Sequence, residues 1–79
     1  MNSVIETEKL LCKVCVQQDE IHVAIANILT FEPNPLLSRL LRQRNRMMGM
    51  QETLRALLRA LGHDPKSYHH YVTNKHLYL

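Results

Sequence analysis

The chain has 79 residues, a formal net charge of +3 and 46% hydrophobic residues, with no tryptophan, one phenylalanine, two glycines and two cysteines. That length allows one small domain, 1–79, which buries only about 60% of the surface its unfolded form exposes, so its core is marginal without a staple or a partner. The composition excludes a disulfide framework and a turn-rich all-β fold, and no apolar run nears the roughly 18 residues that a membrane span requires.

The first arm, Ser3–Phe31, is predicted to be helical. Ser3 followed by Glu6 matches a capping box, and Glu6 and Glu8 sit near the positive end of the helix dipole. A heptad-like apolar stripe then runs through Val4, Leu11, Val14, Gln18, Ile21, Ile25 and Ile28, flanked by Cys15, His22 and Leu29. Gln18 is the polar member of this seam. It reads as a solvated position, with a buried, register-setting amide as the sharper alternative. The stretch Ile21–Ile28 tolerates a strand, but its continuity with the upstream stripe favours helix.

Glu32-Pro33-Asn34-Pro35 breaks the chain, because each proline lacks a donor and pushes the residue before it out of the α region. Asn34 is the natural cap of the second arm, and Pro35 occupies its first turn at no cost. The stripe of this arm reads Leu37, Leu40, Arg44, Met47, Gln51, Leu54, Leu58 and Leu61, widened by Leu41, Met48 and Leu57. Arg44 must snorkel to the edge or meet a carboxylate, and Asp19 or Glu20 of the first arm is the expected partner. Gly49, mid-arm, costs about 1 kcal/mol relative to alanine and marks either a hinge or a close approach of another helix. Gly62, with Pro65 soon after it, ends the arm.

Asp64-Pro65 is predicted to open a short third helix that runs to Val72 or Thr73. Tyr68, Tyr71, Val72, Leu77, Tyr78 and Leu79 make this end too apolar for a solvated tail, so it folds back over the hairpin or docks on another chain.

Charge divides between the arms. Glu6, Glu8, Asp19 and Glu20 against Lys9 and Lys13 give residues 1–31 a balance of −2; eight basic side chains against Glu32, Glu52 and Asp64 give residues 32–79 a balance of +5. Opposite signs favour antiparallel pairing in cis, or pairing with a second copy in trans. Arg39, Arg42 and Arg46 share one face of the second arm, extended by Arg55 and Arg59. The bland reading of that band is a solvated face; the functional one is a track for phosphates, although no aromatic residue interleaves with it.

Cys12-Lys13-Val14-Cys15 has C-x-x-C spacing, but its helical setting, with no strand before it and no histidine pair at finger spacing, makes both cysteines small core residues. His63, His69, His70 and His76 read as an amphipathic, partly exposed end. Met47, Met48 and Met50 point in different directions and read as core filling, with a helix that packs on more than one side as the alternative. No nucleophile elbow, phosphate loop, zinc-protease motif or paired carboxylates occur, so no enzyme, metal or cofactor is expected.

The resulting expectation is an all-α protein: a long antiparallel helical hairpin, about residues 3–31 and 35–62, with a short C-terminal helix, completed by dimerisation or a partner. Its expected role is that of a cytoplasmic protein-binding module, such as an adaptor, regulator, inhibitor or chaperone. Leu37, Leu40, Leu41, Met47, Met48, Leu54, Leu57 and Leu58 are the candidate surface, supported by Ile21, Ile25, Ile28 and Leu29. The alternative is a nucleic-acid-binding regulator acting through Arg39, Arg42, Arg46, Arg55 and Arg59. Neither membrane nor small-molecule substrate is expected.

Overall fold

A computed structural model describes residues 3–28 and 34–79. Two long helices, α1 (Ser3–Ala26) and α2 (Pro35–Ala60), lie antiparallel. They are followed by α3 (Tyr68–Thr73) and a 3₁₀ turn, Lys75–Leu77, with no strand among the described residues. Across the hairpin, Gln51 Nε2 donates to Gln18 Oε1 at 2.9 Å, which puts these two residues opposite each other. Gln18 is buried, so it is the buried amide of the two readings and not a solvated position. Arg55 Nε in turn donates to Gln51 Oε1 at 3.0 Å, which leaves neither amide of the pair isolated.

Local signals account for the ends of α2. The Asn34 side chain accepts from the Leu36 N–H at 2.9 Å, with Pro35 in the first turn. At the other end Gly62 takes φ +79, the Gly62 N–H bonds to the Arg59 carbonyl and the His63 N–H to the Leu58 carbonyl. Those two bonds form a Schellman motif, and only glycine adopts that φ without strain. The helix runs unbroken through Gly49, where an added Cβ would meet only open space. Neither a hinge nor a close helix contact forms there within the chain.

Two expected boundaries move. Helix α1 stops at Ala26, short of Phe31, with the Ile28 N–H turning back to the Ile25 carbonyl; Asn27 is a weak helix former, and no basic residue in the last turn offsets the dipole. Residues 29–33, including Glu32 and Pro33 of the break, lie outside the described residues. Helix α3 starts at Tyr68, capped by Ser67, whose Oγ accepts from the His70 N–H at 3.1 Å, and not at Asp64-Pro65. Tertiary contacts hold the intervening stretch out of helix: the Lys66 N–H donates to the Tyr71 hydroxyl and its carbonyl accepts from Arg55 Nη1.

The core lies where α3 folds back on the hairpin. Leu11, Cys12, Cys15, Leu58 and Tyr71 are fully buried and pack together, with Val4, Val16, Leu54, Tyr68, Val72 and Tyr78 around them. Tyr71 is the keystone. Its hydroxyl donates to Glu8 Oε2 at 2.8 Å, accepts from Lys66, and its ring meets Tyr78 edge-on at 5.1 Å. His63 Nε2 lies 3.0 Å from the same Glu8 oxygen. Burial first, and then Glu8, raises the pKa of the Tyr71 phenol, so it serves as a neutral donor.

Candidate partner-binding groove

On α1, the residues that receive α3 are Glu8, Cys12 and Asp19, which bond to Tyr71, to the Tyr71 carbonyl and to Tyr68 respectively. Residues two positions away along the chain project about 160° round the helix, on the opposite side of the hairpin. That side has no third helix over it. There the two long helices leave two successive apolar concavities. One, of about 440 Å³, is lined by Glu6, Thr7, Lys9, Leu10, Lys13, Leu54, Leu57 and Leu79. The next, of about 370 Å³, is lined by Gln17, Glu20, Ile21, Ala24, Leu40, Gln43, Arg46 and Met47. Heptad spacing connects them, since Glu6, Leu10, Lys13, Gln17, Glu20 and Ala24 follow one face of α1, and Leu40, Gln43, Met47, Leu54 and Leu57 one face of α2. Together these two concavities, one after the other on the same side of the hairpin, make up the groove, with apolar floors and charged rims.

Of the residues expected to bind a partner, Leu40, Met47, Leu54 and Leu57 line this groove. Leu37 and Leu41 are half-buried between the arms and line neither concavity, and Met48 borders a separate cleft with Gln18, Gly49, Gln51 and Glu52. Leu58 is corrected: it is 0% exposed, sealed in the chain's own core by Tyr71 and α1, and presents nothing to a partner. Ile21 lines the second concavity, Ile25 and Ile28 are half-buried, and Leu29 is outside the described residues. Leu10 and Ala24 complete the groove without having been singled out, together with Leu79 of the apolar C-terminal end. Leu10 and Ala24 belong to a second, weaker stripe of α1 that Lys13 and Gln17 interrupt, and Leu79 reaches the site only through the fold.

The arginine band also needs correction. Arg39, Arg42 and Arg46 are exposed and share an outward concavity of about 620 Å³ with Pro35, Ser38 and Gln43, all from α2. Arg55 leaves the band: it turns inward to hold Gln51 and the Lys66 carbonyl. Arg59 is exposed, but faces Gly62, His63 and Asp64 on another side of the helix. Arg44 does not meet Asp19 or Glu20. Asp19 accepts from the Tyr68 hydroxyl at 3.3 Å, and Arg44 Nε is buried without a hydrogen-bond partner.

Cys12 and Cys15 are free, buried core residues. Burial pushes both thiols up, Cys15 to about 11, which keeps them protonated and poorly nucleophilic at neutral pH. Among the described residues no set of three or more His, Cys, Asp or Glu side chains is placed to share a metal ion, and no helix is long and apolar enough to cross a membrane. No known family, curated protein or solved structure matches this chain.

Proposed function

We propose that this chain is a non-enzymatic protein-binding module, an adaptor, regulator or chaperone that works in a reducing cytoplasm. The observation that carries this reading is the groove between α1 and α2. Leu10 and Leu57 stand about half exposed on its floor, at 47% and 46%, while the chain spends its third helix covering the other side. A contiguous apolar strip with a polar rim marks a surface that another polypeptide covers. The concavities are open clefts along a helix pair, which suits a helical segment better than a small molecule. Protonated, buried thiols are compatible with a reducing compartment.

A photo-crosslinking side chain placed at Leu10 tests this in the cell of origin, with Asn45 on the outer face as the control position. Adducts to a polypeptide, this chain or another, are expected from Leu10 and not from Asn45. Equal yields from both positions, or none from either, reject the groove as a binding surface.

A second reading, a polyanion-binding surface, draws on the concavity lined by Arg39, Arg42 and Arg46, three exposed arginines without an ion pair among the described residues. It predicts retention on duplex nucleic acid at low salt that falls steeply with ionic strength and is lost when all three become glutamine.

A further inference from the structure

We infer that the groove is occupied by a second copy of this chain, related by a two-fold axis running along the groove. This deepens the protein-binding reading and rests on it. The result is a four-helix bundle in which each α1 lies between the α2 of its own copy and the α2 of its partner.

Three observations select a second copy. The first is area. The chain exposes 5656 Å², about 700 Å² more than the roughly 5,000 Å² expected of a folded chain of its mass. That excess is close to the about 800 Å² per partner that a standard interface covers.

The second is the charge of the groove's own edges. Glu8 and Asp19 are held by α3, so α1 offers the groove Glu6 and Glu20 against Lys9 and Lys13, and α2 offers Arg46 as its one charged lining residue. An axis along the groove sets each α1 over the partner's α2, so Arg46 meets the helix that carries Glu20.

The third is the rim. Glu20 on one edge and Arg46 on the other border the same concavity, and among the described residues neither forms an ion pair, His63–Glu8 being the one such pair there. With Gln18 opposite Gln51, Arg46 stands three residues, about 4.5 Å, beyond the level of Glu20, within reach of an arginine side chain. The two-fold then pairs Glu20 of each copy with the partner's Arg46, twice per dimer. On the floor, Leu10 of each copy meets the partner's Leu57, and the exposed positions of α2 nearest Lys9 and Lys13 on this face, Thr53, Ala56 and Ala60, carry no charge to repel them.

Sedimentation of the full chain at micromolar concentration tests the dimer, and a mixing experiment tests its geometry. The wild-type chain is expected at twice its 9.3 kDa mass. Leu10→Asp with Ala24→Asp is expected to give monomers of unchanged helical signal, because neither position is in the core. Glu20→Arg alone and Arg46→Glu alone each weaken the dimer by about tenfold or more, since like charges then oppose twice. An equimolar mixture of these two variants regains near wild-type affinity as a heterodimer. Only a contact between copies produces that rescue, and the exposed rim variants keep the test valid even if the floor variant unfolds. A monomeric wild-type chain, or a mixture that stays as weak as its components, overturns the inference. Groove-dependent crosslinks to a different protein with a monomeric chain overturn the dimer alone, whereas crosslinking insensitive to the groove overturns the binding reading as well.

Discussion

Where α3 docks, Leu11, Cys12, Cys15, Leu58 and Tyr71 lose all contact with solvent; in the other half of the hairpin, Ile21–Ile28 beside Leu37–Met47, no described residue is fully buried. Both halves are built from aliphatic stripes of similar strength. The difference is the number of helices that converge. Two helices touch along a line and leave each stripe partly wet, whereas a third helix closes the volume and turns the same residue types into a core. Stability is therefore concentrated at one end of the molecule, and surface available for association at the other end and along the groove.

The sharpest way to break this comparison is to truncate one leucine from each half. Leu58→Ala is expected to cost about 3 kcal/mol, because it opens a cavity in a fully packed site. Leu37→Ala, half-buried in the open half, is expected to cost about 1 kcal/mol, in proportion to the area it covers. Denaturant unfolding of the two variants gives the ratio directly, and equal losses would mean that the halves do not differ.

Tyr71→Phe comes next. It keeps the ring that fills the core and removes the hydroxyl that joins Glu8 to the Lys66 N–H. A loss of about 1–2 kcal/mol is expected, together with a weaker α3, read as reduced protection of residues 68–73 from hydrogen exchange.

Arg44→Met should act in the opposite direction. It replaces a buried Nε that has no partner with an apolar side chain of similar length, and a gain of about 1 kcal/mol is expected in the same unfolding assay.

A further expected effect is alkaline. Burial raises Cys15 from 9.0 to about 11 and Tyr68 from 10.0 to about 12, and raises Tyr71 further. The folded chain thus keeps protons that the unfolded chain releases. Their contribution is complete below about pH 9 and is lost as pH rises from there to 12, so the melting temperature should fall over that window. In Tyr71→Phe the fall should be shallower.

Much of the fold was legible because its signals are local. Asn34-Pro35 and Gly62 act within a turn of themselves, and they end up where backbone geometry demands. The core was only partly legible. Tyr71 is the keystone, yet it stands in a Tyr/His cluster that reads as an amphipathic end, and its partner Glu8 lies 63 residues away. Distance in sequence hid the pair. The same holds for Arg44: charge alone nominates Asp19 or Glu20 as its partner, but Asp19 is claimed by Tyr68, which arrives from α3, and Glu20 stands at the edge of the groove. The groove was half visible. The aliphatic stripe of α2 identified Leu40, Met47, Leu54 and Leu57, but period alone did not reveal which flank of the stripe α3 would cover, so Leu58 was grouped with them. The opposing wall, Leu10 and Ala24, was masked by the charged and polar residues between them, which are the rim itself.

Native-state hydrogen exchange at two protein concentrations tests the central claim most directly. In dilute solution, amides of 11–18, 54–61 and 70–72 should exchange only through global unfolding, and those of 21–26 and 37–47 through cheaper local opening. Raising the concentration should lift the second group toward the first as the groove becomes covered. One uniform tier of protection in the dilute chain, unchanged on concentration, would contradict the division of this hairpin into a closed end and an open one.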